Sequence, residues 1–230
     1  MNESLIIAIV GAESTGKTQL ARSACERLAQ ATGLRCTWVP ELLRDWCAQR
    51  GRTPLQHEQV GIAAEQARRI DAAALQHELV LCDTTPLMTS VYSEMVFGDT
   101  SLYPAALAWQ QRCALTLLTA LDLPWVADGL QRDGPHVREP VDALLRQHLI
   151  GQGLRWSLVA GLGEARVEAA IDAIAPLLRQ RAMPRDGLFT RLAARDAAQP
   201  AWLWACEQCD SPECEHATQR LARAAAQGLE

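Results

Sequence analysis

The sequence predicts an α/β fold with a five-stranded, mostly parallel sheet covered by helices on both faces. Three observations lead there. Short apolar runs alternate with helical patterns through the first four-fifths of the chain, roughly the length of one α/β domain. The first run, Leu5 to Val10, reads Leu-Ile-Ile-Ala-Ile-Val without a polar break, as a strand buried on both faces does. A glycine-containing loop follows it at once and opens into a helix.

Taken in order, Leu5–Val10 is the first strand. Leu20, Ala21, Ala24, Leu28 and Ala31 then recur at helical spacing until Gly33. Further strands are expected at Cys36–Val39, Leu79–Cys82, Leu115–Thr119 and Trp156–Ala160. Helices are expected at Leu42–Arg50, His57–Gln76, Thr85–Phe97 and Pro104–Cys113, the last opening on a proline whose missing N–H costs nothing there. Ligands of such a sheet bind beyond the carboxyl ends of its strands. The Met183-Pro184-Arg185-Asp186-Gly187 stretch reads as a linker, dividing the chain into a domain over 1–182 and a tail over 183–230.

The loop itself is the most specific feature. Gly11-Ala12-Glu13-Ser14-Thr15-Gly16-Lys17-Thr18 is a complete G-x-x-x-x-G-K-[ST] phosphate-binding loop. Lys17 is the chain's only lysine; of 22 basic residues the others are all arginine. A position that keeps a slim ammonium amid arginines calls for a point charge beside phosphates, which a planar guanidinium fits poorly. Backbone N–H groups from Ala12 to Thr18 would cradle the phosphates of ATP, and the Thr18 hydroxyl would meet Mg2+. The fold is therefore expected to be that of a P-loop NTPase or kinase.

Composition narrows the partners. A formal net charge of −5 lacks the basic surface that supplies affinity for nucleic acid or anionic membrane, so neither is expected, whereas a small-molecule substrate is. No apolar stretch approaches the roughly 20 residues of a membrane span, and no basic leader precedes the first run, so the chain is expected to be cytoplasmic. Cys25, Cys36, Cys47, Cys82 and Cys113 stand singly within elements and read as small buried hydrophobes in a reducing compartment.

Other residues carry candidate chemistry. Leu79-Val80-Leu81-Cys82-Asp83 is a hydrophobic strand ending in an acid, the form of an element whose carboxylate holds Mg2+; an N-cap is the alternative role for Asp83. Glu41 and Arg44 follow the second strand at the loop's edge of the sheet. There Glu41 could orient a substrate hydroxyl and Arg44 meet a transferring phosphoryl group, or the two could form a first-turn surface pair. The segment of about 125–140 after the fourth strand carries Trp125, Asp128, Arg132 and Arg138 between glycines, and suits a lid closing an arginine onto developing phosphate charge. Trp125 could stack on a substrate ring or serve the core, and Asp122 could face substrate or cap a turn.

Together these segments resemble the ribosylnicotinamide kinase domain of the bacterial bifunctional NAD-biosynthesis regulator and related stand-alone ATP-binding proteins. The matching pieces are G-A-E-S-T-G-K-T, Glu41, Arg44 and Asp45 after strand two, Asp83, Thr84 and Thr89 after strand three, and the W-V-x-D-G-L-x-R beginning at Trp125. They cover roughly residues 5–175 in the right order. The resemblance implies ATP-dependent phosphorylation of the 5'-hydroxyl of nicotinamide riboside, giving nicotinamide mononucleotide. It implies ATP phosphates on Gly11 to Thr18, Mg2+ on Asp83, the reacting end of the substrate on Glu41 and Arg44, and a lid containing Asp128, Arg132 and Arg138. Because the phosphate loop begins ten residues from the N-terminus, the regulator's helix-turn-helix and adenylyltransferase domains are not expected.

The tail has its own pattern, C-x2-C-x4-C-x-H over Cys206, Cys209, Cys214 and His216. Three thiols and an imidazole interleaved with turn formers could close a structural Zn2+ site; reduced cysteines on a polar turn, or a disulfide, are the alternatives. Trp202 and Trp204 just before it could dock the tail or form a protein-partner surface. The function expected is therefore a small-molecule kinase of the nucleoside type. The alternatives are a P-loop ATPase or switch whose tail recruits a protein, and a kinase of another hydroxyl substrate.

Overall fold

Apolar runs that cannot face water on either side must lie between two layers of helix, and the sheet is arranged accordingly. The computed structural model describes residues 4–126 and 134–179. Its strands are β1 (Leu5–Val10), β2 (Cys36–Val39), β3 (Leu79–Asp83), β4 (Leu115–Thr119) and β5 (Trp156–Val159). They pair in the order β2-β3-β1-β4-β5, and every pair is parallel, where a mostly parallel sheet was expected. The three inner strands are buried at every residue, while β2 and β5 at the edges are half-buried, as their shorter and more polar sequences suit.

The helices are α1 (Lys17–Thr32), α2 (Leu42–Arg50), α3 (Gln56–Ala74), α4 (Pro86–Phe97), α5 (Tyr103–Gln110), α6 (Arg138–Gly151) and α7 (Gly163–Leu178). Alternate strand residues point to opposite faces. Val10 and Leu118 pack with Leu87 and Val91 of α4 and Val141, Leu145 and Leu149 of α6. Ile6, Val80 and Cys82 pack with Ile70 of α3 and Trp109 of α5. The intervening Ile7, Ile9 and Leu81 are fully buried toward the opposite face, where α1 lies on β2 and β3 and packs against α7.

Several boundaries differ from the sequence expectation for local reasons. Helix α3 starts one residue early, at Gln56, because the Glu58 carboxylate turns back to accept the Leu55 N–H at 2.8 Å. Thr85 is the N-cap of α4 rather than its first residue, so Pro86 takes the first helical position. Within the segment of about 125–140 expected as a lid, a 3-10 turn over Pro135–Val137 leads into α6 at Arg138. Among the described residues no helix is long and apolar enough to cross a membrane. The five cysteines outside the tail are free. Burial pushes the Cys25 thiol up to about 11 and those of Cys36 and Cys113 to about 12, which keeps them protonated and inert.

Candidate active site

The phosphate loop is shaped by how closely it passes the end of β4. At Gly11 the backbone has φ 150°, and a Cβ there would lie 2.1 Å from Thr119 Oγ1. Only glycine admits that approach. The loop turns through left-handed conformations at Ser14 (φ 55°) and Gly16 (φ 74°), the latter serving as N-cap of α1. Thr15 is fully buried, and its hydroxyl donates to Ala12 O at 2.8 Å. It accepts in turn from Thr119 Oγ1 at 2.7 Å. Lys17 Nζ reaches back across the loop to donate to Ala12 O at 2.8 Å. Gly11 to Thr18 thus form one preorganised turn on the helix N-terminus, where anions are favoured.

The parallel pairing of β1 with β3 sets Ile9 beside Asp83, which delivers that carboxylate to the first turn of α1. Thr18 Oγ1 donates to Asp83 Oδ2 at 2.5 Å. Asp83 is 1% exposed, and its Oδ1 has no hydrogen-bond partner among the described residues. Burial pushes the Asp83 carboxyl above its ordinary 3.8, against the opposing pull of the Thr18 hydroxyl, Lys17 and Arg44. A buried carboxylate with an idle oxygen beside a threonine hydroxyl fits Mg2+, which binds through one or two carboxylates and takes its remaining ligands from phosphates and water. Asp83 ends the strand and Thr85 caps the following helix, so capping is not Asp83's role. Between them Thr84 is held at φ 70°, a left-handed conformation rare for a β-branched residue, and its N–H donates to Ile9 O at 3.0 Å. Such strain, on the order of 1–3 kcal/mol, persists where surrounding structure over-determines it and clusters at functional sites.

That turn also opens a pocket. A cavity of about 220 Å3 lies between α2, α3 and α4, lined by Glu41, Gln59, Gln66, Thr84, Thr89 and Tyr92 among others. Glu41 is the N-cap of α2. The buried amide of Gln66 secures the backbone on both sides of it, accepting from Leu42 N at 2.8 Å and donating to Pro40 O at 3.3 Å. Arg44, one turn into α2, is exposed, and its charge acts on Asp83. The structure therefore brings Lys17, Thr18, Asp83, Glu41 and Arg44 to one edge of the sheet.

Other sequence candidates are placed differently. Asp122 accepts from Gly161 N at 2.6 Å and from Arg166 Nη1 at 2.6 Å, so both oxygens are occupied by the chain itself. Partial burial pushes its carboxyl up, but the Arg166 guanidinium and the Gly161 amide outweigh this and hold it below the usual range. Trp125 Nε1 donates to Glu13 Oε2 at 3.2 Å, joining the segment after β4 to the phosphate loop. Ser14 adds to that join, its hydroxyl donating to Val126 O at 2.9 Å. Arg138 is buried and donates to Leu123 O at 2.8 Å and Leu121 O at 3.3 Å, so it braces the loop after β4. Asp128 and Arg132 lie outside the described residues, as do Cys206, Cys209, Cys214 and His216 with the expected zinc site.

Sequence reasoning missed Arg166. It is 4% exposed in α7 and donates to Thr15 O at 2.9 Å, Gly161 O at 2.9 Å and Ala120 O at 3.1 Å, besides Asp122. It clamps the back of the phosphate loop to the ends of β4 and β5. A signal was available: Arg166 lies on the same helical stripe as Ala170 and Ile174, and a charge on an apolar stripe needs partners.

A sequence profile described as an AAA domain matches residues 6–166, well over half of the chain. The chain belongs to that family. The match runs from β1 to the start of α7, so this AAA domain includes both the phosphate loop and the Arg166 clamp. Among solved structures, the fold of the AAA domain is shared with NadR protein in complex with NR, at 20% identity and a TM-score of 0.61. It is shared likewise with NadR protein in complex with NAD and AMP-PNP, at 18% identity and a TM-score of 0.57. Each likeness covers 75% of this chain, which spans about half the length of those NadR chains (50% and 49%). A deoxyadenosine kinase from M. mycoides, with products dcmp and dcdp bound, is 11% identical with a TM-score of 0.53, over 75% of this chain and 100% of that one. No curated protein matches the sequence significantly.

Proposed function

We propose that the chain is an ATP-dependent nucleoside kinase that transfers the γ-phosphoryl group of ATP to the 5'-hydroxyl of nicotinamide riboside, giving nicotinamide mononucleotide and ADP. The observation that carries this reading is the shared wall between two sites. Asp83 closes the phosphate loop's corner with Thr18, and the next residue, Thr84, lines the pocket that holds Glu41. Phosphoryl transfer requires that adjacency, since donor and acceptor must meet in line with water excluded. The likeness to NadR solved with NR and with AMP-PNP, and to a deoxyadenosine kinase, supports the same assignment.

In this reading Gly11 to Thr18 bind the ATP phosphates through main-chain N–H groups, and Lys17 leaves Ala12 O to neutralise the β- and γ-oxygens. Thr18 and Asp83 would hold Mg2+, which supplies charge neutralisation on the transferring group. Glu41 orients the acceptor hydroxyl and takes its proton as the oxygen attacks the γ-phosphorus and the bond to the β,γ-bridging oxygen breaks. Arg44 meets the phosphoryl charge as it moves between the two sites. Because Gln66 secures Pro40 and Leu42, the Glu41 carboxylate is presented from a rigid helix start.

The test is ADP release with Mg-ATP against nicotinamide riboside, adenosine, cytidine, deoxynucleosides and no acceptor. Stimulation by nicotinamide riboside, lost in Lys17→Ala and in Glu41→Gln, is the expected result. Acceptor-independent turnover that Lys17→Ala abolishes and Glu41→Gln leaves intact would overturn the kinase reading in favour of an ATPase switch.

A further inference from the structure

The acceptor pocket contains a primary amide that is not used to hold the fold together. Gln59, near the start of α3, is 5% exposed and lines the cavity, and its amide opens onto that cavity rather than being sealed among other side chains. Its neighbour Gln66 shows the contrast, with both ends of its amide used on backbone. The two are seven residues apart on α3, so Gln59 stands about 10 Å further along the helix axis from the Glu41 end. That is the span of one riboside, with its primary hydroxyl at Glu41 and its ring at Gln59. The pocket wall includes Leu55, Ile62, Tyr92 and Phe97, which suit a flat ring but offer it no charge. Among the described lining residues, Glu41 is the only charged one.

We propose that Gln59 reads the ring substituent of the acceptor and selects a primary carboxamide over a carboxylate. The proposal rests on reading this pocket as a nucleoside site, and it adds the group that confers ring selectivity. A carboxamide is the self-complement of a glutamine amide: Nε2 donates to the ligand carbonyl while Oε1 accepts from the ligand NH2. A carboxylate only accepts, so it leaves Oε1 opposed to an anionic oxygen, and no lining cation compensates its burial.

The test compares kcat/KM for the ribosides of nicotinamide and nicotinic acid in the wild type and in Gln59→Leu, a substitution that suits the apolar wall. The wild type is expected to prefer the carboxamide by about tenfold or more, the scale of one or two buried hydrogen bonds. Gln59→Leu raises KM for the carboxamide riboside and brings the ratio of the two substrates near one, with KM for ATP unchanged. A preference that survives Gln59→Leu overturns the proposal. If the wild type phosphorylates neither riboside, the kinase reading fails by itself, and ligand-observed NMR with free nicotinamide and nicotinate then decides the role of Gln59. Saturation transfer favouring nicotinamide, lost in Gln59→Leu, upholds it; equal transfer to both probes overturns it.

Discussion

The guanidinium of Arg166 donates to the main-chain oxygen of Thr15 at 2.9 Å, across 151 residues of sequence. Through this contact and its bonds to Ala120 O, Gly161 O and Asp122, one side chain ties the phosphate loop to two neighbouring strand ends. The loop's shape is therefore a tertiary property as well as a local one.

Replacing Arg166 with Met keeps the apolar stem but leaves three main-chain oxygens and the Asp122 carboxylate without their donor. Removing one partner of a buried ion pair costs about 3–5 kcal/mol, and Asp122, at 32% side-chain exposure, places this one toward the lower end. Urea unfolding of Arg166→Met is expected to show a loss of about 3 kcal/mol. Adding Asp122→Leu recovers only part of it, since the three carbonyls remain unpaired.

Asp83 couples stability, pH and ligand. Its folded-state value lies above the ordinary 3.8, so the folded protein holds the proton more tightly than the unfolded chain. The associated stability is present below 3.8 and is lost as pH rises through the raised value. Asp83→Asn removes the cost of the buried charge, so without ligand its Tm is expected to exceed the wild type's at pH 7, with the gap narrowing on acidification. Mg-ATP raises the Tm of the wild type but not of Asp83→Asn, and turnover in the variant falls by roughly 100-fold or more. Differential scanning fluorimetry between pH 4 and 8 reads all but the last, which needs the ADP assay.

Two loop glycines should respond unequally to alanine. At Gly11 the added Cβ would lie 2.1 Å from Thr119 Oγ1, and the clash cannot be relieved without moving the buried end of β4. At Gly16 it meets only the end of the Leu123 side chain at 3.0 Å, so left-handed strain dominates. Gly11→Ala is expected to cost about 2–4 kcal/mol in urea midpoint experiments and Gly16→Ala about 1–2 kcal/mol. Equal costs would mean that the approach of β1 to β4 is looser than described.

Lys17 is exchangeable with arginine in charge but not in shape. Its ammonium reaches Ala12 O at 2.8 Å inside the turn, a site too small for a planar fork. Lys17→Arg and Lys17→Ala should both lower ATP turnover by about 100-fold or more, with Tm nearly unchanged. Restoration of activity in Lys17→Arg would rule out a point-charge role.

The elements written in contiguous residues were legible from the sequence. Leu5–Val10, the loop to Thr18 and the helix ending at Gly33 form one uninterrupted unit, because burial of a strand and capping of a helix are decided by neighbours along the chain. The placement of Glu41 and Asp83 at one edge was also legible, since Asp83 ends a short β-prone run and Glu41 closely follows another, and the carboxyl ends of parallel strands all lie on the same side. Strand order was not legible: β1 lies between β3 and β4, a non-local arrangement that no periodicity encodes. Nor were the partners of side chains. Asp122 reads as a substrate candidate in isolation and becomes half of an ion pair only when α7 brings Arg166 to it. Gln59 and Gln66 are the same residue type on the same helix, and only packing separates them. One faces backbone that satisfies its amide, and the other faces a cavity. Hydrogen-bond satisfaction is a property of what folding brings within about 3 Å, and sequence spacing carries no such distance between elements.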